Sequence, residues 1–299
     1  MDKSSKFLTS SANETTPVVS IERDGAQSID RAMSVLMLVS AQSRVGMPLR
    51  EIVAQSGLKQ PTVHRLLGAL VRAGLVEQNP DSKRYHLGCE SYVLGTLAAE
   101  RFGIHSVAAS SVVQLANMSE DTAFLTVRRG DFGVCVHREE GTYPIRAQVL
   151  SVGDRHPLGI GAGSIAILAA LEDPEIEEIL AALEPSYQEH YPAVSGEKLR
   201  ALVRETRERG YATHRGLVHP GSWGLGIVIR NEVGEPCAAL SIGAIENRMG
   251  EERQRKLVRL LEAEARAVEA RLKKRMDERR SAAAEPSTPS IRRRSGERA

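Results

Sequence analysis

Lys59, Gln60, Thr62, His64 and Arg65 fall within seven consecutive positions. Each can hydrogen-bond a base edge or a phosphate, the chemistry of reading double-stranded DNA through its major groove. Lys83 and Arg84 follow in a short polar turn and would add cations for a flanking phosphate or minor groove. A second stretch, Gly159-Ile160-Gly161-Ala162-Gly163-Ser164, precedes a helical pattern, so its amides and the helix dipole would favour an anion. It spells GxGxGS without the strand–helix–strand setting or acidic ribose partner of a dinucleotide fingerprint, and no cofactor is expected. Close helix–sheet packing through glycines explains that stretch equally well. His137, His156, His214 and His219 fit no metal-binding helix spacing, so no metal is expected. No serine sits in a GxSxG elbow and no cysteine is framed as a nucleophile, so no catalytic residue is assigned and no enzyme is expected.

The elements that would carry the first group are local. Leu49–Gln55 reads as a helix with Leu49, Ile52 and Val53 on one face. Gly57 supplies the permissive backbone of a tight turn, and Leu58 would pin that turn to the core. A second helix starts at Lys59-Gln60-Pro61, proline suiting a first turn, and Val63, Leu66, Leu67, Leu70 and Val71 form its buried stripe. Its opposite face, Pro61, Thr62, His64, Arg65, Gly68 and Ala69, is slim and polar enough to enter a major groove. Gly74 caps it. Leu75–Gln78 and Arg84–Leu87 flank the turn residues Asn79–Lys83 as a hairpin. An earlier helix, Ile29–Ala41, carries Ile29, Ala32, Met33, Leu36, Met37 and Val39 on a helical period. On it, Arg31 is either a surface ion-pair residue or a phosphate contact. A small helical subdomain with an ordinary hairpin is the bland alternative. The order helix, glycine turn, polar-backed helix and basic wing favours a winged helix-turn-helix.

The remainder alternates differently. Helices are expected at Glu90–Arg101, Ser106–Met118, Gly161–Ala170, Pro174–Leu183, Ser195–Arg209 and Glu251–Arg275. Strands are expected at Thr122–Arg128, Gly133–Arg138, Pro144–Leu150, Gly224–Arg230 and Pro236–Ile242. Hairpins amid helices imply an α+β domain with an antiparallel sheet. The expected divisions are a disordered arm at 1–24, the DNA-binding domain at 25–89, a linker helix at 90–104, an effector-binding domain at 105–275 and a basic disordered tail at 276–299. Net charge is only +2 across 299 residues, so a DNA-binding surface must be local rather than a global basic field. Three scattered cysteines exclude a disulfide framework or zinc finger. The first twenty residues lack the apolar core of a secretory signal, and no run is long enough to span a bilayer. A cytoplasmic protein is expected.

Ser28-Ile29-Asp30-Arg31-Ala32, Gly57 through Leu67 and Arg84-Tyr85-His86-Leu87-Gly88 together resemble the IclR family of bacterial transcriptional regulators. Gly153-Asp154-Arg155-His156-Pro157-Leu158 and the glycine run after it resemble that family's effector-domain signature. The resemblance implies a multidomain α+β chain: a winged helix-turn-helix, a linker and a GAF-like effector domain in which a small organic acid lies over the Gly161–Ser164 helix start. It places the ligand at Leu158, Gly161, Ala162, Gly163 and Ser164, with Ala162 and Gly163 supplying amides, and at His214, Gly224, Ser241 and Gly243. The family often has an acidic residue at position 214, a cysteine at 224 and a serine at 243. These departures, with Trp223 beside them, imply a different, larger or aromatic ligand. The expected protein is a homodimer or homotetramer that binds a palindromic double-stranded operator and regulates a catabolic or metabolic operon, as repressor or activator. The competing readings are an enzyme using the Gly159–Ser164 cradle with His214 as base, and an interaction module that binds protein instead of DNA.

Overall fold

A computed structural model describes residues 27–42, 45–101, 103–145 and 150–284. The expected arm at 1–24 and the tail from 285 onward lie outside the described residues. The first unit packs α1 (Gln27–Ala41), α2 (Leu49–Ser56) and α3 (Gln60–Arg72) against a wing of β1 (Val76–Gln78) and β2 (Tyr85–Leu87). Its core is Val35, Leu38, Val39, Met47, Ile52, Val63, Leu67, Leu70, Val76 and Tyr85. Gly57 adopts φ 64° after α2, the left-handed backbone that lets the chain reverse into α3. α3 closes with Gly74 N–H to Val71 O and Leu75 N–H to Leu70 O, both 3.0 Å, a Schellman-type end. Met47 adds a third short rung to the wing, exchanging two 2.9 Å hydrogen bonds with Tyr85.

Two stripes depart from expectation. Val71 is exposed: it stands one position beyond the Val63–Leu67–Leu70 seam and the wing does not reach it. On α1, Ile29, Met33 and Met37 face outward, whereas Val39 and Leu36 of the same expected set pack on the core with Val35 and Leu38. The helical period holds, and the set divides because that helix carries apolar residues on two sides.

After α4 (Cys89–Arg101), the second unit is a six-stranded antiparallel sheet in the order β5-β4-β3-β8-β7-β6. The strands are β3 (Thr122–Arg129), β4 (Phe132–Glu139), β5 (Arg155–Pro157), β6 (Ala212–Arg215), β7 (Ser222–Arg230) and β8 (Pro236–Ile245). One face is covered by α5 (Ile104–Ser119) and α9 (Glu251–Ala284), around Val112, Leu115, Leu240, Leu261 and Val268. The other face is covered by α6 (Ala162–Ala169), α7 (Asp173–His190) and α8 (Gly196–Arg209), around Ile167, Leu180, Tyr187 and Leu199. With both faces covered, β3 and β8 read as nearly continuous apolar runs. Ser195 caps α8, its hydroxyl accepting from the Lys198 amide at 3.3 Å.

Several expectations are corrected. Of the strand expected at Pro144–Leu150, Pro144, Ile145 and Leu150 are not in a strand, and 146–149 lie outside the described residues. The edge strand is Arg155–Pro157, too short and polar to show as a period; it pairs with β4 and is flanked by the Cys135 N–H to Asp154 O bond. β6 was not anticipated. α7 runs through Pro185 to His190, because Tyr187 is fully buried and bonds the Leu158 carbonyl at 2.6 Å. α9 continues to Ala284, so 276–284 is helical rather than disordered: the segment is rich in helix formers, and Lys274 pairs with Glu278 at i,i+4.

Candidate DNA interface and effector cavity

The polar back of α3 faces solvent. Lys59, Gln60, His64 and Arg65 are exposed and Thr62 is half-buried, so local folding leaves the expected readout groups unspent. Arg31 is exposed on α1, and Lys83 is exposed at the wing tip with φ 57°. Arg84 is different. Its Nη1 donates to the Gly46 carbonyl at 2.7 Å, so this side chain braces the wing against the turn before α2.

The second expected site is a cavity between the start of α6 and the sheet. It spans at most about 670 Å³, counting space continuous with solvent. The structure brings Gly161, Ala162, Gly163, Ser164, His214, Trp223, Gly224, Ser241 and Gly243 to its wall. Leu158 is not among them. Its side chain is fully buried in the core beneath α7, since the chain turns at this point and sends adjacent residues to opposite sides.

Glycines bring the helix start close to the strands. A Cβ at Gly224 would lie 3.1 Å from that of Ala162, and one at Gly163 would lie 3.1 Å from Thr126 Oγ1 and 3.3 Å from Ser241 Oγ. The first-turn amides of α6 therefore open beside two hydroxyls, and helix geometry leaves such amides without intrahelical partners. The Ser164 hydroxyl is committed elsewhere: it accepts from the Gly159 amide at 3.1 Å and donates to Pro157 O at 3.3 Å, bracing the loop. His214 is 94% buried by the complement of its 6% exposure. Burial first, then His219 and Lys198, lowers its pKa to about 4, so the ring is neutral at pH 7. The Arg215 guanidinium lies 5.4 Å from the Trp223 ring centroid.

Sequence reasoning missed Phe124, Thr126, Cys135, His156, Ile160 and Val218 as wall residues. Four of these come from β3, β4 and β5, and only sheet pairing brings them together. The available signals were the alternation of Phe124 and Thr126 along β3 and the place of His156 and Ile160 within or beside the signature around the glycine run. Among the described residues the wall carries no Lys, Arg, Asp or Glu. Burial raises the Cys135 thiol to about 12, so it is a poor nucleophile. Among the described residues, no group of three or more His, Cys, Asp or Glu is arranged to hold a metal. His137 bonds His105 at 3.0 Å and His156 bonds the Tyr191 hydroxyl at 2.8 Å. No described helix is long and apolar enough to cross a membrane.

Comparison with known proteins gives two family matches. Residues 96–270 match the family described as Bacterial transcriptional regulator IclR C-terminal, and residues 28–80 match the IclR helix-turn-helix domain. The HTH-type transcriptional regulator KdgR of Escherichia coli is 24% identical over 249 residues, covering 83% of this chain and 94% of its own. XynR of the same organism, another HTH-type transcriptional regulator, is 27% identical over 225 residues, covering 75% and 88%. The crystal structure of an IclR transcriptional regulator from Alicyclobacillus acidocaldarius superposes with a TM-score of 0.70 at 26% identity, over 82% of this chain and 98% of that one.

Proposed function

We infer, for a chain that belongs to the IclR family of bacterial transcriptional regulators, that it controls a catabolic or metabolic operon by binding a palindromic operator with an affinity set by a small organic acid. The observation that carries this reading is the solvent-facing polar side of α3, bearing Lys59, Gln60, His64 and Arg65 with no fold-internal role. Gln60, Thr62, His64 and Arg65 read bases or fix position on phosphate, Lys59 and Lys83 hold phosphate or minor groove, and Arg31 adds a phosphate contact. Arg84 contributes through the wing it braces.

One such helix discriminates too few base pairs for a genome, where specific binding exceeds non-specific binding by roughly 10³–10⁷. A homodimer or homotetramer supplies the second half-site. The exposed apolar residues Ile29, Met33 and Met37 on α1, and Tyr92, Leu94 and Leu97 on α4, support self-association, since monomers rarely leave such surface bare. The effector acid lies with its carboxylate on the Ala162 and Gly163 amides, against the largely apolar wall that includes Trp223. A ligand shifts operator affinity only as far as it binds the two arrangements unequally. The enzyme alternative is set aside, since the relatives are named transcriptional regulators.

The test is a gel-shift titration of a duplex selected from a random pool by the purified protein. Expected results are a two-fold-symmetric sequence and an affinity falling steeply with salt, as counterion release requires. Absence of any duplex selection would defeat the reading.

A further inference from the structure

His214 is a buried polar group of the same cavity wall that holds the first turn of α6. It lines the cavity at 6% exposure, and its Nε2 is buried with no hydrogen-bond partner. A nitrogen stripped of water and left unmatched is destabilising unless something enters to meet it. Its place is fixed by the sheet: His214 pairs with Gly224, and a Cβ at Gly224 would lie 3.8 Å from His214 Cβ and 3.1 Å from Ala162 Cβ. The imidazole therefore shares one small space with the first turn of α6.

The ring is uncharged at neutral pH, for the burial reasons given above. It offers a second carboxylate no countercharge, and an ammonium group brought there would be desolvated with no anionic partner in the wall. A hydroxyl suits it, because one O–H can donate to or accept from either tautomer of a neutral imidazole.

We propose that the effector is a hydroxy acid whose hydroxyl hydrogen-bonds His214 Nε2 while its carboxylate rests on the α6 amides, so that His214 selects hydroxy acids over their deoxy counterparts. The inference rests on the acid-effector reading above. It assigns to His214 the specificity that leaving a buried polar group unpaired confers against a ligand lacking the hydroxyl.

Calorimetric titration of the purified full-length protein with phenylacetate, mandelate and 4-hydroxyphenylacetate tests it, the three sharing one skeleton. The expected result is that one hydroxylated acid binds at least about tenfold tighter than phenylacetate. His214→Ala should abolish that difference and His214→Gln should keep part of it. His214→Phe serves where the alanine variant, checked by its unliganded melting transition, fails to fold. Equal binding of all three acids, or a preference that survives in the folded variants, overturns the proposal and leaves the acid-effector reading standing. No binding of any of the three to protein that still shifts duplex DNA overturns both.

Discussion

Gly226 on β7 sits directly under the first turn of α6: a Cβ placed there would stand 2.6 Å from the Ala162 carbonyl carbon and 2.9 Å from the Gly163 nitrogen. Both are backbone atoms, so no rotamer change relieves the overlap. Gly226→Ala is expected to push α6 off the sheet, destabilise the fold by about 1–3 kcal/mol as overpacking does, and weaken effector binding. Denaturant unfolding and ligand titration on the same preparation check it; unchanged values in both would show that α6 is not held at this spacing.

Arg65 is exposed on α3, so its removal should leave the fold within about 0.5 kcal/mol of wild type. Operator binding by Arg65→Ala is expected to disappear from gel shifts while effector affinity persists. Loss of both would indicate misfolding instead of lost readout.

Tyr92 and Leu97 on α4 are 75% and 61% exposed. Replacing both with Asp places charge on the proposed subunit contact. Sedimentation velocity should then show a smaller species, with operator affinity reduced by tenfold or more. An unaltered oligomer would move the contact elsewhere.

Asp121 is a buried carboxylate held by Arg248 Nε at 2.9 Å and Arg253 Nη2 at 2.8 Å, and Arg248 also stacks 3.7 Å above the Tyr143 ring. Asp121→Ala removes the carboxylate that two partly buried cations share, leaving Arg248 with Glu120 at 3.3 Å and Arg253 with the Ser119 carbonyl. A loss of about 2–3 kcal/mol is expected from urea unfolding, because a broken buried pair leaves its cations undercompensated. A loss below about 1 kcal/mol would mean that water screens the cluster.

His214 titrates near 4 when folded and near 6.5 when unfolded. The unfolded chain therefore binds more protons between those values. Stability from this group is complete above pH 6.5 and is lost as pH falls toward 4, amounting to about 3 kcal/mol at most. His214→Gln should flatten that limb of the stability–pH curve relative to wild type. Identical curves would place the imidazole in contact with water.

The winged unit was legible because its determinants are short-range. Val63, Leu67 and Leu70 mark a seam within a single helix, Gly57 marks its turn, and Asn79–Lys83 marks the wing. On α1 the period did not say which side turns inward: Leu36 and Val39 pack on the core, while Ile29, Met33 and Met37 form a second, exposed apolar stripe that only packing can assign. In the second unit the helix start at Gly161 was visible, but half of the cavity wall was not. Thr126 and Cys135 face each other across a tight hairpin whose register is shifted by a bulge between Leu125 and Thr126, and His156 joins them only through the β4–β5 pairing. Leu158 was misassigned for the converse reason. Proximity in sequence to the ligand loop said nothing about the turn that sends its side chain under Tyr187.

Thr126 and Val127 are successive residues of β3 that look in opposite directions. Thr126 borders Gly163 at the cavity, whereas Val127 joins the layer beneath α5 and α9 and adjoins Gly103 and Ile104, where α5 begins after the linker helix. One pleat of β3 thus separates the cavity beside α6 from the groove at the start of α5, so a displacement of that strand would be felt on both of its faces.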